Sequence, residues 1–447
     1  MTQDLITALA TPMGASALAV LRTSGPGAVE GVARLSDRPG QVAGAPGGRL
    51  VRSLLVDPEG DEVLDEVMLG IYRAPHSYTG EDAVEIFCHG SPPGIQRILS
   101  ALYRLGFRPA EPGEFTLRAF LAGKVDLTRA EAVHEIVSAQ TAVGHEMALA
   151  RLGGSIAAAI EEAKQDLVAI MARVAVQLDY PEEDTGEIVI PPGTVRAARG
   201  RIAGLAATYR TGRLYQEGVR VALAGRTNAG KSSMFNALLR EERAIVSPTH
   251  GTTRDYIESR LDLSGIPVTL YDTAGIRSTA ESIEGEGIRR TRELVEHAEL
   301  VLYVVDGTGG LSAEDRELLS RLADRVVPVW NKIDEPDSGP VPEGFIGVSA
   351  VTLAGIQQLV ESIVESVTPE RSYRTGSPVV DSLRQKNLLE RAAAALKELE
   401  RGLAAGYPVD ALSVDLQEAI NALGEITGEV TSDDILDAVF GGFCLGK

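Results

Sequence analysis

The sequence predicts a multidomain α/β protein: an α+β domain at the N-terminus, an all-α helical domain, and a parallel, doubly wound domain inserted into the helical one. Three observations support this fold class. At 447 residues the chain is longer than one core usually supports. Up to about residue 118, short apolar runs alternate with glycine and proline clusters, as in an α+β domain. Between about 216 and 375, apolar strand patterns alternate with helical ones, which is typical of a parallel sheet covered by helices.

Helical periodicity flanks this middle segment on both sides. Before it, Leu152, Ile156 and Ile160 fall on one helix face, and after it Leu412 and Leu416 do the same. Compact domains keep their termini close together, so one domain can be inserted into a loop of another. We therefore predict four segments, of which the second and fourth form one helical domain: 1–118, 119–215, 216–375 and 376–447.

The composition limits the class of protein. Hydrophobic residues make up 44% and charged residues 24%, which is typical of a globular chain. A net charge of -20 argues against bulk attraction to nucleic acid, so any such contact must be local. Cys88 and Cys444 form no metal-binding set or disulfide framework. The N-terminus has no basic residue before Arg22, and no apolar run approaches the roughly 18 residues of a membrane span. We expect a cytoplasmic protein with no membrane span.

The segment GRTNAGKSS (225–233) carries the clearest chemistry. It fits the pattern G-x-x-x-x-G-K-S, with a predicted strand before it and a predicted helix after it. Gly225 and Gly230 permit a backbone that directs amides at phosphate oxygens. Lys231 would place its charge at the β- and γ-phosphates, and the Ser232 hydroxyl would bind Mg²⁺.

Four further segments follow in the order expected of a GTP-binding domain. GTTRD offers Thr253 as a second Mg²⁺ ligand, and DTAG offers Asp272 behind the metal. NKID supplies Asp334, a carboxylate suited to the N1 and N2 donors of guanine, and Ala350 would offer an amide to O6. Together with GRTNAGKSS these segments predict a Ras-like P-loop G domain that binds GTP.

The means of hydrolysis is less plain. The position after DTAG, where many G proteins carry a water-orienting glutamine, is Ile276, and no arginine in cis is evident. Asn228 could bind a monovalent cation at the phosphates, or it could stabilise the loop through backbone hydrogen bonds. Glu284 could orient the water, or it could be a solvated loop carboxylate. Spacing alone leaves both questions open.

The whole chain resembles the MnmE (TrmE) family of tRNA modification GTPases. The resemblance rests on HSYTGEDAVEIFCHG (76–90), PGEFTLRAFLAGKVDLTRAEAV (112–133), FCLGK (443–447) and the inserted GTPase. It implies that Lys231 and Glu284 are catalytic and that K⁺ replaces an arginine finger. The implied K⁺ ligands are Asn228, Ser247, Thr249 and Thr252. The residues assigned to GTP are Asn228, Ala229, Gly230, Lys231, Ser232, Ser233, Ser247, Pro248, Thr249, His250, Gly251, Thr252, Thr253, Asp272, Thr273, Ala274, Gly275, Asn331, Lys332, Asp334, Ser349 and Ala350.

The resemblance also implies a homodimer formed through the N-terminal domain. That domain would bind 5-formyl- or 5,10-methylene-tetrahydrofolate through Arg22, Glu85, Lys124 and Lys447. Taken alone, each of these residues would be expected to be a surface ion-pair partner. The implied partner is an FAD-containing MnmG-like protein, in a heterotetramer or larger complex. The pair would add a carboxymethylaminomethyl or aminomethyl group to C5 of the wobble uridine of certain tRNAs.

Two other functions are compatible with parts of the sequence. The middle domain alone also resembles ribosome-assembly GTPases, which act as RNA-binding switches. Those proteins usually carry a basic RNA-binding module, which is not evident here, and the folate-like motifs have no place in them. A folate-binding scaffold with a vestigial GTPase is the second alternative, and the intact Lys231, Ser232, Asp272 and Asn331 argue against it.

One local excess of positive charge stands out in residues 188–216. This segment has no acidic residue and five arginines: Arg196, Arg199, Arg201, Arg210 and Arg213. Such a cluster could meet tRNA phosphates, or it could be the solvated face of a helix.

Overall fold

The structure is a computed structural model that describes residues 4–60, 62–179, 190–241, 243–244, 257–272, 296–322, 325–368, 376–444 and 446. Several predicted site residues lie outside these ranges: Ser247 to Thr253, Thr273 to Gly275, Glu284 and Lys447. The described chain forms two compact units, residues 1–134 with 424–447, and residues 135–423. These units divide the chain at different positions from the four predicted segments, which stay a prediction of domain organisation.

A mixed sheet organises the first unit. Its strands are β1 (Leu5–Leu9), β2 (Ser16–Ser24), β3 (Arg49–Val56), β4 (Val63–Tyr72), β5 (Ala83–Gly90) and β6 (Phe107–Pro109). They lie in the order β3-β4-β5-β2-β1-β6, and every pair is antiparallel except β1 with β6. The first helices of the chain are α1 (Ala28–Ala33), α2 (Pro39–Ala43), α3 (Pro92–Arg104), α4 (Glu114–Leu121) and α5 (Leu127–Ser138), of which α5 continues into the second unit.

The two faces of this sheet are covered differently. Helices α1 and α3 pack on one face, where Leu21, Leu69 and Ile86 are buried in the main core of the unit. Because side chains alternate along a strand, the neighbouring residues point to the other face. There Phe115 of α4 covers Ile6 and Ala8 of β1. On strands further from α4 the same face leaves apolar side chains exposed: Leu18, Leu50, Leu54 and Met68.

Helices carry the next part of the chain. They are α6 (Ala142–Leu152), α7 (Ser155–Asp179), α8 (Pro192–Ala206) and α9 (Tyr209–Glu217). Near residue 208 the helical segment that leads to the inserted domain is divided into α8 and α9. The Thr208 hydroxyl donates to the Leu205 carbonyl at 2.6 Å and accepts the Val380 amide at 3.0 Å, so it competes with helix continuation at this point.

A second sheet forms the inserted domain, and it confirms the predicted doubly wound fold. Its strands are β7 (Val219–Ala224), β8 (Arg243–Ala244), β9 (Ile257–Leu263), β10 (Ile266–Asp272), β11 (Leu300–Asp306), β12 (Val326–Asn331) and β13 (Ile346–Val348). In the order β13-β12-β11-β7-β10, every neighbouring pair is parallel. Helices α10 (Lys231–Glu241) and α12 (Ile356–Val367) cover one face, and α11 (Ala313–Leu322) covers the other.

The antiparallel edge formed by β9 and β8 was not predicted. In β9 the charged residues Glu258, Arg260 and Asp262 occupy alternate positions, and Leu261 and Leu263 between and beyond them are buried. An edge strand of this kind is half solvated, so it lacks the continuous apolar run that marked the parallel strands.

The last helices are α13 (Leu383–Ala405), α14 (Val409–Thr427) and α15 (Asp433–Phe440). The last of these returns to the first unit, where the ring of Phe440 lies 6.4 Å from Phe120 and 5.4 Å from Phe443. In the second unit α13 packs on α8, and Leu412 and Leu416 of α14 are buried as the periodicity predicted. Among the helices that the structure describes, none combines the length and apolar character needed to cross a membrane.

The chain enters and leaves the inserted domain at neighbouring points. Besides the contact of Val380 with Thr208, Gly212 of α9 packs so closely that an added Cβ would lie 2.2 Å from the Val380 carbonyl oxygen. The turn between β9 and β10 also meets the helical part, because Thr141 donates to the Gly265 carbonyl at 2.8 Å. The same Thr141 hydroxyl accepts the Gly144 amide and caps α6.

A buried arginine ties the returning chain to the helices. Arg151 of α6 forms ion pairs with Glu135 and Asp381, both at 2.7 Å, and its side chain is only 3% exposed. Asp381 lies between the inserted domain and α13, so this cluster fixes the segment through which the chain rejoins the helical part.

Candidate functional site

The loop between β7 and α10 has a backbone that favours glycine at both ends. Gly225 has φ of 138° and Gly230 has φ of 94°. An added Cβ at Gly225 would lie 2.1 Å from the Val304 carbonyl oxygen, and one at Gly230 would lie 2.1 Å from Asn331 Nδ2. The two glycines of the predicted P-loop are therefore required by its shape as well as by its motif.

The start of α10 supplies the groups that a phosphate needs. Lys231 is its first residue, and Ser232 and Ser233 follow within the first turn. The Lys231 ammonium donates to the carbonyls of Gly225 at 3.0 Å and Arg226 at 2.8 Å, so it lies against the loop. Amides and positive charge at the start of a helix suit an anion, and these residues fit a nucleotide phosphate.

Asp272 ends β10 and is 1% exposed. In the parallel register it lies opposite Leu223, near the end of the strand that leads into the P-loop. The carboxyl ends of these strands meet at one edge of the sheet, where such folds bind ligands. The residues predicted to complete this side of the site, Thr253 and Thr273 to Gly275, lie outside the described ranges.

Asn331 joins three of the predicted motifs. Its amide nitrogen donates to the Ala229 carbonyl of the P-loop at 2.9 Å, and its amide oxygen accepts the Ala350 amide at 3.3 Å. Ser349 beside it is fully buried, and its hydroxyl accepts the amides of Val351 and Thr352. The structure thus brings the predicted phosphate loop, NKID and the Ser349–Ala350 turn together.

Lys332 of NKID contacts a carboxylate that sequence reasoning missed, Asp306. Lys332 has φ of 70°, and its ammonium lies 2.5 Å from Asp306 Oδ2, at the end of β11. Asp334, predicted to bind guanine, is exposed two residues further on. The only signal for Asp306 in the sequence was its place at the end of an apolar strand.

Asn228 lies on the exposed rim of the P-loop with φ of 63°. Asparagine tolerates this left-handed conformation better than most residues, which agrees with a role in loop geometry as well as with one in cation binding. Its two possible roles stay open, because the other predicted K⁺ ligands and Glu284 lie outside the described ranges.

In the first unit the structure brings two predicted folate residues together. Arg22 and Glu85 are opposite each other on β2 and β5, and Arg22 donates to Glu85 Oε1 at 2.9 and 3.1 Å. Arg22 also donates to the carbonyl of Gly446, the neighbour of Lys447, at 3.0 Å. Lys124 is exposed on the loop after α4, and an added Cβ at Gly80 would lie 3.9 Å from its Cε.

Three aromatic residues around this pair were not predicted. The Arg22 guanidinium carbon lies 5.7 Å from the ring centre of Phe115 and 6.0 Å from that of Tyr78. Tyr72 donates to Glu85 Oε2 at 3.3 Å. Burial, with the Glu85 carboxylate, raises the pKa of Tyr72, so its hydroxyl remains a donor at neutral pH. Tyr72 is brought here by strand pairing, and Phe115 and Tyr78 by the packing of α4 and of the loop after β4, so no local sequence pattern reveals these neighbours.

The arginine cluster is largely paired with carboxylates. Arg199 contacts Glu400 at 2.9 Å, Arg201 contacts Asp166 at 2.8 Å, and Arg213 contacts Glu217 at 2.7 Å. These pairs reduce the charge available to nucleic-acid phosphates and favour the solvated helix face.

The two cysteines differ in character. Cys88 is buried, and burial together with the Asp65 carboxylate raises its pKa to about 11, so its thiol is unreactive at neutral pH. Cys444 is exposed in the C-terminal segment.

The fold and the joined motifs define the class: this is a P-loop protein with a G domain. A family model described as the MnmE helical domain matches residues 127–444, and one described as the GTP-binding protein TrmE N-terminus matches residues 5–124. The chain belongs to the MnmE (TrmE) family of tRNA modification GTPases, which confirms the resemblance drawn from its motifs.

Named relatives align with this chain over nearly their full length. The chain is 41% identical to the tRNA modification GTPase MnmE of Treponema denticola, over 99% of this chain and 98% of that protein. It is 42% identical to the protein of the same name from Borrelia recurrentis, over 100% and 98%. Among solved structures, the G domain of the T. maritima FeoB iron transporter is 30% identical over 34% of this chain and 99% of that one, with a TM-score of 0.26.

Proposed function

We propose that the chain hydrolyses GTP and that this reaction serves the modification of C5 of the wobble uridine in certain tRNAs. The observation that carries the proposal is the bridging position of Asn331. Its two hydrogen bonds unite the phosphate loop with the segments that would recognise guanine. The relatives are tRNA modification GTPases, and this likeness supports the second half of the proposal.

Each described residue of this site has a chemical task. Lys231 and the amides at the start of α10 would bind and orient the phosphates. Ser232, with Thr253, would hold Mg²⁺, and Asp272 would lie behind it. When bound, this metal neutralises phosphate charge. Asp334 would accept hydrogen bonds from N1 and N2 of guanine, a donor pair that adenine does not present.

We propose K⁺ as the group that replaces an arginine finger, held by Asn228, Ser247, Thr249 and Thr252. Asn228 supports this because its exposed side chain lies on the rim of the phosphate loop. Glu284 would then orient the attacking water, the task that Ile276 cannot perform. Equal rates of GTP hydrolysis in potassium and sodium chloride would exclude K⁺ from this role.

We propose that the first unit binds 5-formyl- or 5,10-methylene-tetrahydrofolate at Arg22, Glu85, Lys124 and Lys447. A carboxylate suits the donor edge of the pterin, and cations suit the glutamate tail. The fit is supported by the Arg22–Glu85 pair, which is about a quarter exposed and is flanked by Tyr78 and Phe115. Calorimetric titration with 5-formyltetrahydrofolate, compared between the natural chain and Arg22→Ala, tests this site.

The uncovered sheet face supports the proposed homodimer. Leu18 is 55% exposed, Leu50 64% and Met68 38%, all on the face opposite α1 and α3. Contiguous exposed apolar side chains of this kind mark interaction surfaces. The Arg22–Glu85 pair lies on the same face, so a second copy docked here would also enclose the proposed folate site.

Replacing Met68 by glutamate is expected to convert the dimer to monomer at micromolar concentration. Each copy would bring a carboxylate into an apolar contact, and burying an unpaired charge costs several kcal/mol. Sedimentation equilibrium measures the change. Val351→Glu is the matched control, since Val351 is 79% exposed on the second unit and should leave the mass unchanged. A monomeric natural chain would contradict the proposed homodimer, and an unaffected Met68→Glu dimer would show that its contact does not include this sheet face.

The proposal includes an FAD-containing MnmG-like partner in a heterotetramer or larger complex, and action in the cytoplasm. Three of the five arginines in the cluster are paired with carboxylates, which reduces the local positive charge and leaves room for the partner to hold much of the tRNA. Purification of the tagged chain from its own cells, followed by flavin absorbance, tests for such a partner.

The decisive experiment compares tRNA nucleosides from cells that carry or lack this gene, by mass spectrometry. Loss of C5-substituted wobble uridines on deletion, with return on complementation, supports the proposal. Unchanged nucleosides together with accumulated immature ribosomal subunits would support the ribosome-assembly GTPase instead.

A further inference from the structure

Asp306, the last residue of β11, lies beside the loop that would recognise guanine. In the parallel register it is opposite Asn331 of β12, and its carboxylate contacts Lys332. We propose that Asp306 is a positioning residue for guanine recognition, which holds Lys332 and through it the segment that carries Asp334. The inference rests on the proposed function, because it takes GTP as the ligand.

Both oxygens of the Asp306 carboxylate are engaged. Oδ2 lies 2.5 Å from the Lys332 ammonium, and Oδ1 accepts the Thr308 amide at 3.0 Å and the Thr308 hydroxyl at 2.7 Å. A carboxylate with both oxygens bonded has little freedom to rotate. Asp306 therefore presents a fixed anchor to Lys332 rather than a loose surface contact.

The environment keeps this anchor charged. The Lys332 and Asp306 side chains are 32% and 27% exposed, so the pair is partly shielded from water. Burial raises the pKa of Asp306, but the hydrogen bonds from Lys332 and Thr308 outweigh it and hold the pKa below its usual value. The carboxylate is consequently ionised at neutral pH.

The backbone at Lys332 needs such an anchor. Its φ of 70° is in the left-handed region, which a lysine adopts only when its surroundings impose it. Backbone hydrogen bonds connect the adjoining segments. The Gly307 amide donates to the Asn331 carbonyl at 2.9 Å, and the Gly339 amide donates to the Gly307 carbonyl at 3.0 Å. Trp330 adds a bond from its indole nitrogen to the Gly339 carbonyl at 3.1 Å.

The guanine loop is thus held at two points with different tasks. Asn331 ties its start to the P-loop, on the phosphate side. Lys332, the next residue, contacts Asp306 through its side chain, on the side that leads to Asp334. Loss of the Asp306 contact should therefore weaken recognition of the base, while the P-loop still binds the phosphates.

The test compares GDP with inosine diphosphate, which lacks the N2 amino group that Asp334 would bind. Calorimetric titrations with both nucleotides use the natural chain and Asp306→Asn, which removes the charge and keeps the shape. We expect GDP affinity to fall about tenfold and the ratio of GDP to inosine diphosphate affinity to fall with it. Asp337→Asn, an exposed aspartate of the same loop, is the charge-matched control and should change neither value.

A second variant separates positioning from folding. If Asp306 acts through Lys332, then Lys332→Met lowers the ratio too, and the double variant loses no more than Lys332→Met alone. An unchanged ratio in Asp306→Asn, or additive losses in the double variant, would overturn the inference. If the natural chain fails to bind GDP, or binds ADP as well as GDP, the proposed function itself fails.

Discussion

Replacing Lys231 by alanine is expected to lower the rate of GTP hydrolysis by about 10² to 10³-fold. The ammonium already lies against the P-loop carbonyls of Gly225 and Arg226, where it would meet the charge that develops on the phosphates. Removing one such preorganised donor typically costs this much in rate. Phosphate release under saturating GTP measures the effect.

A lysine on the surface provides the control for this experiment. Lys397 is exposed on α13, and Lys397→Ala should hydrolyse GTP at the natural rate. In cells whose only copy carries Lys231→Ala, C5-substituted wobble uridines should disappear. Hydrolysis at an undiminished rate would show that Lys231 has no catalytic task. Intact modification without hydrolysis would separate the modification from the GTPase.

Replacing Arg151 by methionine is expected to lower the free energy of unfolding of the helical part by about 3 to 5 kcal/mol. Methionine fills much of the same space but leaves the Glu135 and Asp381 carboxylates in a buried site without the arginine charge. Two buried carboxylates would then lack the positive charge of Arg151. Urea denaturation followed by far-ultraviolet circular dichroism measures the loss.

An exposed ion pair gives the comparison. Arg213 pairs with Glu217 across one helical turn, with both side chains about half exposed, and Arg213→Met should cost at most about 0.5 kcal/mol. The chain has one tryptophan, Trp330, in the inserted domain, so its fluorescence reports that domain separately. Equal urea-denaturation midpoints for Arg151→Met and Arg213→Met would mean that the buried cluster adds no more to the free energy of unfolding than a surface ion pair does.

Local motifs explain why much of the G domain could be predicted. The P-loop, NKID and the Ser349–Ala350 turn each lie where a parallel strand ends, so their residue types and their order were enough to predict one site. Asp306 and Tyr72 escaped prediction because their neighbours are set by strand register, and Phe115 because its helix packs on a strand far away in the chain. No single segment of the sequence carries that information.

Periodicity was informative for cores and weak at boundaries. It placed Ile156, Ile160 and Leu416 inside helices, where they are buried. It missed the break between α8 and α9, because that break depends on the Thr208 hydroxyl and on Val380, which lies far away in sequence. It also missed β9, whose alternating charges suit a half-solvated edge.

The contact between Thr208 and Val380 has a consequence for how the second unit melts. It holds together the two ends of the inserted segment. For the helical part, that segment is therefore a loop whose ends are already joined. The entropy of closing a loop grows only with the logarithm of its length, by about 0.6 kcal/mol for each doubling. The helical bundle therefore loses little if the insert becomes an unfolded loop, and each part can follow its own heat-denaturation curve.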